Sequence, residues 1–367
     1  MKFTIKRSVL LNALSNVSRA VSLKSPLPAL TGIKFDLSEE ALTLTGSDSD
    51  ITIQTTITED LKVNEPGAVV LSSKYILEIV KKMETEEISI STVDESLTKI
   101  EGANSKFDLN GTDAFDYPRV DLSKSGVHLV IDSFLLRDII DKTSYATSDK
   151  ETRPVLTGVN FKAKDTTLVA VATDSYRLAQ MTANIEDDKT FNIIVPKKSL
   201  QEISRIIDQN EKIDVYVSDR KILFVIDEFI ILSRLIEGTY PDTSRLFSDH
   251  YDYSLSINSE TLLKSVDRAS LLSDAATNII TLSMNEERVI LNSYSQEIGS
   301  VEEDLADAFY KGNPLEIAFS AKYLTDAIRS INSQTIKIQF TGKMRPFVIT
   351  DQEKEDNIQV VLPVRTY

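Results

Sequence analysis

The chain has 367 residues, with 41 Lys+Arg against 56 Asp+Glu, two His and no Cys, for a net charge of −15. That length suits two or three domains of roughly 100–150 residues each. The lack of Cys excludes disulfides, thiolate zinc sites and cysteine nucleophiles, and the acidity by itself argues against a nucleic-acid partner, whose phosphates an acidic surface repels.

His128 and His250 are the only imidazoles, both near expected domain joints and expected to be exposed, so no HExxH pattern or histidine cluster can form. The eleven glycines are scattered singly and build neither a Walker loop nor a GxGxxG fingerprint. Met1 to Arg7 carries charge where a signal peptide would start, and the apolar run Val9–Leu14 is interrupted by Asn12. No apolar stretch approaches the ~20 residues of a bilayer span. The expectation is a soluble, cytoplasmic protein with no membrane partner, no catalytic residues, no metal and no cofactor.

In chain order, a helical pattern opens over Lys6–Val21, where Ile5, Val9, Leu10, Ala13, Leu14 and Val17 form one apolar stripe. Alternating β patterns follow at Ile33–Leu37, Ala41–Thr45 and Ile51–Ile57. A second helix is predicted over Ser72–Met83, then strands at Glu87–Ser91 and Ser105–Leu109. The polar segment Asp121–Val127 closes this unit. The next opens with a helix over Asp132–Thr147 and a second over Pro196–Asp208, followed by strands at Ile213–Val217, Ile222–Ile226 and Phe229–Leu232. After Asp249–Tyr253 come helices over Asn258–Ser273 and Ser320–Asn332 and strands at Thr335–Phe340 and Pro346–Thr350. Ser72, Pro196 and Ser320 are expected to start the second helices as cap or first-turn residues.

The units repeat. Leu30-Thr31-Gly32-Ile33-Lys34-Phe35 recurs as Leu156-Thr157-Gly158-Val159-Asn160-Phe161, and Gly46-Ser47-Asp48-Ser49 meets Ala172-Thr173-Asp174-Ser175, both at an offset of 126. Ile279-Ile280-Thr281-Leu282 is a fainter third copy. An offset of 124 places Lys74, Lys198 and Lys322 at one position of the second helices. The fold class expected is α+β: three tandem similar domains (1–122, 127–249 and 252–367), each with two helices packed on antiparallel sheet. Asp48 and Asp174 occupy one position of the repeat and read as turn-capping residues rather than a catalytic carboxylate pair.

Charge is unevenly placed. The six predicted helices hold 15 basic and 9 acidic residues, a surplus of +6, which leaves −21 on the remainder. A weakly basic helix layer suits loose contact with phosphates and not base readout.

Met1-Lys2-Phe3-Thr4-Ile5, Leu27-Pro28-Ala29-Leu30, Leu44-Thr45-Gly46-Ser47-Asp48, the run from Ala172 to Ala179, Tyr240-Pro241-Asp242 and Val361-Leu362-Pro363-Val364-Arg365 together resemble the bacterial DNA polymerase III beta subunit, the sliding-clamp family. The resemblance spans all three units. It implies a head-to-tail dimeric ring, with twelve helices lining a hole through which double-stranded DNA passes without sequence preference. Implied phosphate-facing residues are Lys24, Lys74, Lys197, Lys198 and Lys322, with Lys24 and Ser73 standing where the family commonly has Arg. The homodimer joint would use Phe107 and Leu109 with Lys106 on one side, and Leu271 and Leu272 on the other, with Glu302, Glu303 and Asp304 supplying opposing charge.

The resemblance also implies an apolar pocket for short linear motifs of the replicative polymerase alpha subunit, the clamp loader, and repair and translesion polymerases. One wall would comprise Leu156, Thr173, Ser175, Tyr176, Arg177, Leu178, Pro241, Arg245 and Leu246. The other would comprise Ser320, Tyr323, Met344, Val360, Val361, Leu362, Pro363 and Val364. Ser175-Tyr176 replaces a common Gly-His, Met344 a valine, Ser320 an asparagine and Thr277 an aromatic, which points to altered peptide preference. A monomeric peptide-binding repeat scaffold without a DNA role is the alternative reading, and a carboxylate-based hydrolase using Asp174 is a third.

Overall fold

The computed structural model describes residues 1–93, 97–207, 212–273 and 278–365. Asp208 and Thr277 therefore lie outside the described residues. Contacts divide the chain into two compact units, one of Met1–Phe134 with Lys198–Leu235, the other of Leu135–Lys197 with Ile236–Tyr367.

Six α-helices occur among the described residues: α1 (Arg7–Val17), α2 (Ser73–Lys82), α3 (Ser133–Thr143), α4 (Lys197–Ile206), α5 (Ser259–Ser270) and α6 (Ala321–Ile331). Each matches a predicted helix and is shorter at its ends. The α1 stripe is buried at Leu10, Ala13, Leu14 and Val17, with Val9 half-buried, but Ile5 belongs to the strand Lys2–Lys6 that precedes the helix. The α-helix stops at Val17 because Ser15 and Ser18 turn their hydroxyls back onto the carbonyls of Leu11 and Ser15, and Ser18–Ala20 tightens into a 3-10 turn. Thr143 ends α3 the same way, donating to the Ile139 carbonyl before the 3-10 turn Ser144–Ala146. With these bounds the helices hold thirteen basic and seven acidic residues, so the +6 surplus and the −21 remainder persist.

Ser72 and Ser320 occupy the N-cap positions of α2 and α6, as expected, but neither side chain caps its helix, and Pro196 ends a strand rather than opening α4. A strand runs straight into each of these helices, so the preceding residue is held by the sheet. Side-chain caps are made instead by Asn258 before α5, which accepts from the Thr261 amide at 3.0 Å, and by Asp132 before α3, which accepts from the Phe134 amide at 2.9 Å.

In the first unit thirteen strands form one antiparallel sheet. Their order is Val127–Asp132, Lys212–Val217, Lys221–Ile226, Phe229–Arg234, Ile51–Ile57, Leu42–Ser47, Gly32–Leu37, Gly67–Ser72, Ser105–Thr112, Leu97–Gly102, Glu87–Val93, Lys2–Lys6 and Leu61–Glu65. The seam between first- and second-repeat strands is an ordinary ladder, with Ile231 opposite Ile53. The second unit has a nine-stranded sheet whose corresponding seam pairs Arg177–Asn184 with Asn357–Val361, Leu178 facing Val360. A four-stranded sheet, Gly299–Asp304, Val289–Ser295, Ile279–Met284 and Leu315–Ser320, completes it. Every strand predicted from alternation is present, each within a residue or three of its expected ends.

The recurring Leu-Thr-Gly motif has a steric cause. A Cβ at Gly32 would lie 2.7 Å from the Leu71 carbonyl oxygen, and one at Gly158 would lie 2.6 Å from that of Val195. At both repeats the neighbouring strand comes too close for any side chain. The third-repeat core gathers Leu262, Val266 and Ala269 of α5 with Leu324, Ala327, Ile328 and Ile331 of α6 over Ile280, Leu282, Phe319 and Ile338, where each fully buried aliphatic side chain contributes about 1.5–3 kcal/mol.

Candidate functional site

Lys74, Lys198 and Lys322 are each the second residue of their helix (α2, α4 and α6), and all are exposed. Helix N-termini carry partial positive charge, so a lysine there adds to a potential that favours anions. Lys24 is exposed between two 3-10 turns. Lys24, Lys74 and Lys198 belong to the first unit, Lys197 and Lys322 to the second.

Their partners differ. Lys74 leans on the Tyr75 ring, 5.5 Å from its centroid. Lys197 donates to Asp149 at 3.0 Å, which holds that carboxyl below the usual carboxylate range. Lys198 pairs with Asp48. Among the described residues Lys24 and Lys322 make no ion pair. Arg7, which adds to the basic count, is spent on structure: its guanidinium donates to the Val80 and Lys81 carbonyls at 2.9 and 2.6 Å, satisfying the end of α2.

The residues expected to form the peptide pocket all lie in the second unit, and Arg177, Leu178, Val360 and Val361 meet at the seam of its nine-stranded sheet. Asp174 caps its turn as expected, Oδ1 accepting from the Tyr176 and Arg177 amides at 2.9 and 3.0 Å, with Ser175 at a positive φ of 80°. Arg177 is nearly buried. It donates to Asp174 at 3.1 Å, to Asp326 of α6 at 2.6 Å and to the Tyr145 carbonyl at 2.9 Å. Its guanidinium also stacks 4.8 Å from the Tyr323 ring and 5.1 Å from that of Tyr145. Tyr176 and Tyr323 stack at 6.4 Å, and Tyr176 is largely exposed, forming an aromatic rim.

Leu178 and Val360 pack with Val171 and Val348 in an apolar cluster, flanked by Tyr240, Leu246 and Phe247. Leu156, Leu178, Val360 and Val361 are buried, Val361 in the third-repeat core, while Ser175, Tyr176, Pro241, Arg245 and Met344 are exposed. Thr173 is also buried, its amide donating to the Tyr240 hydroxyl at 3.0 Å. Burial pushes the Tyr240 phenol above its ordinary range and keeps it protonated. The half-buried segment Leu362, Pro363 and Val364 is tied down by Leu362 N to the Tyr176 carbonyl (3.0 Å) and Val364 N to that of Ala318 (2.7 Å). Ser320 and Tyr323, both half-buried, border that segment's anchoring strand.

Two partly or wholly unpaired strand edges carry residues expected at the joint. Ser105–Thr112 pairs fully with Leu97–Gly102, but on its other side only Gly111 and Thr112 are paired. Gly299–Asp304 is an edge of the four-stranded sheet. Phe107 is 38% exposed and Leu271, just past α5, is 74% exposed, while Leu109 and Leu272 are half-buried. The charges expected to oppose one another across a joint are already matched within their own units. Lys106 pairs with Glu101 at 2.5 Å, Glu303 with Arg268 at 2.7 Å, and Glu302 and Asp304 with Arg288 at 3.1 and 2.8 Å.

Comparison with known proteins covers the whole chain. Models of the DNA polymerase III beta subunit match its N-terminal domain at residues 1–121, its central domain at 130–242 and its C-terminal domain at 244–365. The chain is 39% identical over 376 positions to the beta sliding clamp of Staphylococcus epidermidis, with all of both chains covered. The crystal structure of the DNA polymerase sliding clamp from Bacillus subtilis matches with a TM-score of 0.97 at 38% identity, again over 100% of both chains. That of the Streptococcus pyogenes beta subunit matches at 0.95 and 32%, also over 100% of both.

The chain belongs to the DNA polymerase III beta-subunit family. Membership establishes three clamp-type domains in tandem and favours a sliding clamp over the monomeric scaffold or a hydrolase. Several residues packed around the Leu178–Val360 cluster and Arg177 carry little or no signal in the sequence pattern. Tyr240 was visible only as part of a motif, and Phe247 and Tyr251 lie in irregular chain without periodicity. Asp326 and Tyr145 reach Arg177 from 149 and 32 residues away, separations that no local pattern encodes. No helix among the described residues is long and apolar enough to cross a membrane. His128 and His250 are exposed as expected, His128 bonding Asp214 at 2.6 Å.

Proposed function

We propose that this chain is the non-catalytic clamp subunit of a DNA polymerase III holoenzyme, acting in the cytoplasm. Two copies close head to tail into a ring around duplex DNA. A heterologous joint whose rotation closes yields a finite ring, and pairing the open edges at Ser105–Thr112 and Gly299–Asp304 removes both from aggregation. Phe107, Leu109, Leu271 and Leu272 supply the apolar part of that joint. The repeats span 1–122, 127–249 and 252–367.

Lys24, Lys74, Lys197, Lys198 and Lys322 face phosphates with weak, sequence-independent contact, so that the ring slides. The rim of Tyr176, Tyr323 and Met344 over the Leu178–Val360 floor takes short motifs from the polymerase alpha subunit, the clamp loader, and repair and translesion polymerases. Tethering a polymerase raises its effective concentration at the primer end, which is processivity. The observation that carries this reading is the end-to-end match, in sequence and in fold, to DNA polymerase sliding clamps.

The test is topological. After loading onto circular and linear duplexes, the chain is expected to persist on the circle and slide off free ends. Equal retention on both forms would sink the clamp reading.

A further inference from the structure

Lys74, Lys198 and Lys322 are equivalent by repeat, yet the structure treats Lys198 differently from Lys322, and the cause lies in the turn aspartates. Asp48 and Asp174 are equivalent, and each uses Oδ1 to cap its own turn, Asp48 accepting from the Asp50 and Ile51 amides at 3.1 and 2.9 Å. In the second repeat, the other carboxylate oxygen of Asp174 is taken by Arg177, three residues on. The first-repeat residue at that position is Ile51, fully buried and apolar. Asp48 therefore has no cation of its own, and its Oδ2 takes Lys198 instead.

We propose that Asp48 is a built-in competitor of phosphate for Lys198, so that Lys198 makes the weakest backbone contact of the three equivalent lysines, and Lys74 and Lys322, which make no ion pair among the described residues, make the stronger ones. The proposal rests on the clamp reading and deepens it. The asymmetry between the two partners makes the competition persistent. Lys198 is 60% exposed and free to swing toward a ligand, whereas the Asp48 side chain is only 8% exposed and pinned by two backbone amides. A phosphate that recruits Lys198 still meets a fixed negative charge beside it. The neighbouring Lys197–Asp149 pair differs, because the Asp149 side chain is 88% exposed and can turn away into solvent, where salt screens it.

The experiment measures binding of the full chain to a short fluorescent duplex across a range of salt concentrations. Asp48→Asn keeps the Oδ1 acceptor for the turn and removes the charge; Asp48→Ser, whose hydroxyl can cap the same turn, is a second neutral variant should the first fold poorly. Neutralising Asp48 is expected to steepen the slope of log affinity against log salt by up to about 0.9 for each lysine that gains a phosphate. Adding Lys198→Gln should abolish that gain, Lys322→Gln alone should flatten the slope, and Asp149→Asn should move it by less than half as much as Asp48→Asn.

An unchanged slope in both Asp48 variants, with Lys322→Gln still flattening it, would overturn the proposal and leave the clamp reading standing. A gain that survives Lys198→Gln, or is matched by Asp149→Asn, would also overturn it. Absence of salt-dependent binding in every protein, the parent included, would remove the clamp reading and the proposal together.

Discussion

Arg177 concentrates more interactions than any other residue of the site, and its energetics follow from burial. A guanidinium taken from water must be matched by charge and hydrogen bonds, and here two carboxylates, a carbonyl and two aromatic faces do so. Replacing it by Met keeps volume but strands Asp174, while Asp326 is exposed enough to recover some hydration. Arg177→Met is therefore expected to destabilise the second unit by about 2–4 kcal/mol, somewhat under the usual cost of breaking a fully buried pair. Urea denaturation measures this, and a change within about 0.5 kcal/mol, typical of surface substitutions, would refute the node as a structural element. The sequence pointed to Arg177 through its motif and to Asp174 through the repeat. It could not point to Asp326, because the pairing depends on how α6 packs on a sheet whose strands come from two repeats.

The elements most legible in the sequence were those whose own pattern decides their structure. The α1 stripe and the Ile51–Ile57 alternation are set by side-chain period against a single core. The linkers are decided instead by contacts from afar. Lys221 reaches back one hundred residues to donate to both the carbonyl and the carboxylate of Asp121, each at 2.7 Å. That hydrogen bond, reinforced by Ser123, holds the Asp121 carboxyl well below the usual carboxylate range. Because the folded-state value is depressed, the pair's contribution is present above the ordinary value of 3.8 and is lost as pH falls through the folded one. Lys221→Met should return the Asp121 titration toward 3.8, read by carboxyl NMR, and speed proteolysis within Asp121–Val127 at neutral pH. A titration unchanged from the parent would show that Lys221 does not pin the linker.

At the scale of the whole molecule, net charge argues against the proposed DNA partner only when read as one number, because acidity and basicity reside on different elements: +6 on the helices and −21 elsewhere. The same accounting changes what should hold two copies together. Lys106, Glu302, Glu303 and Asp304 are neutralised within their own units, so ion pairs across a joint would only exchange existing partners for new ones. Association then rests on apolar burial and on the unpaired backbone at Ser105–Thr112 and Gly299–Asp304. Burying a leucine contributes about 1.5–3 kcal/mol, and each 1.4 kcal/mol is roughly tenfold in affinity. Leu271 is exposed in the single chain, so Leu271→Asp should leave the fold intact and weaken dimerisation by about 10–100-fold. Raising salt from 50 to 500 mM should change the dimer dissociation constant by less than about threefold, because little net ion pairing is available to screen. Sedimentation over a dilution series reads both. A dimer that falls apart with salt and tolerates Leu271→Asp would show that the charged residues, not the leucines, carry the joint.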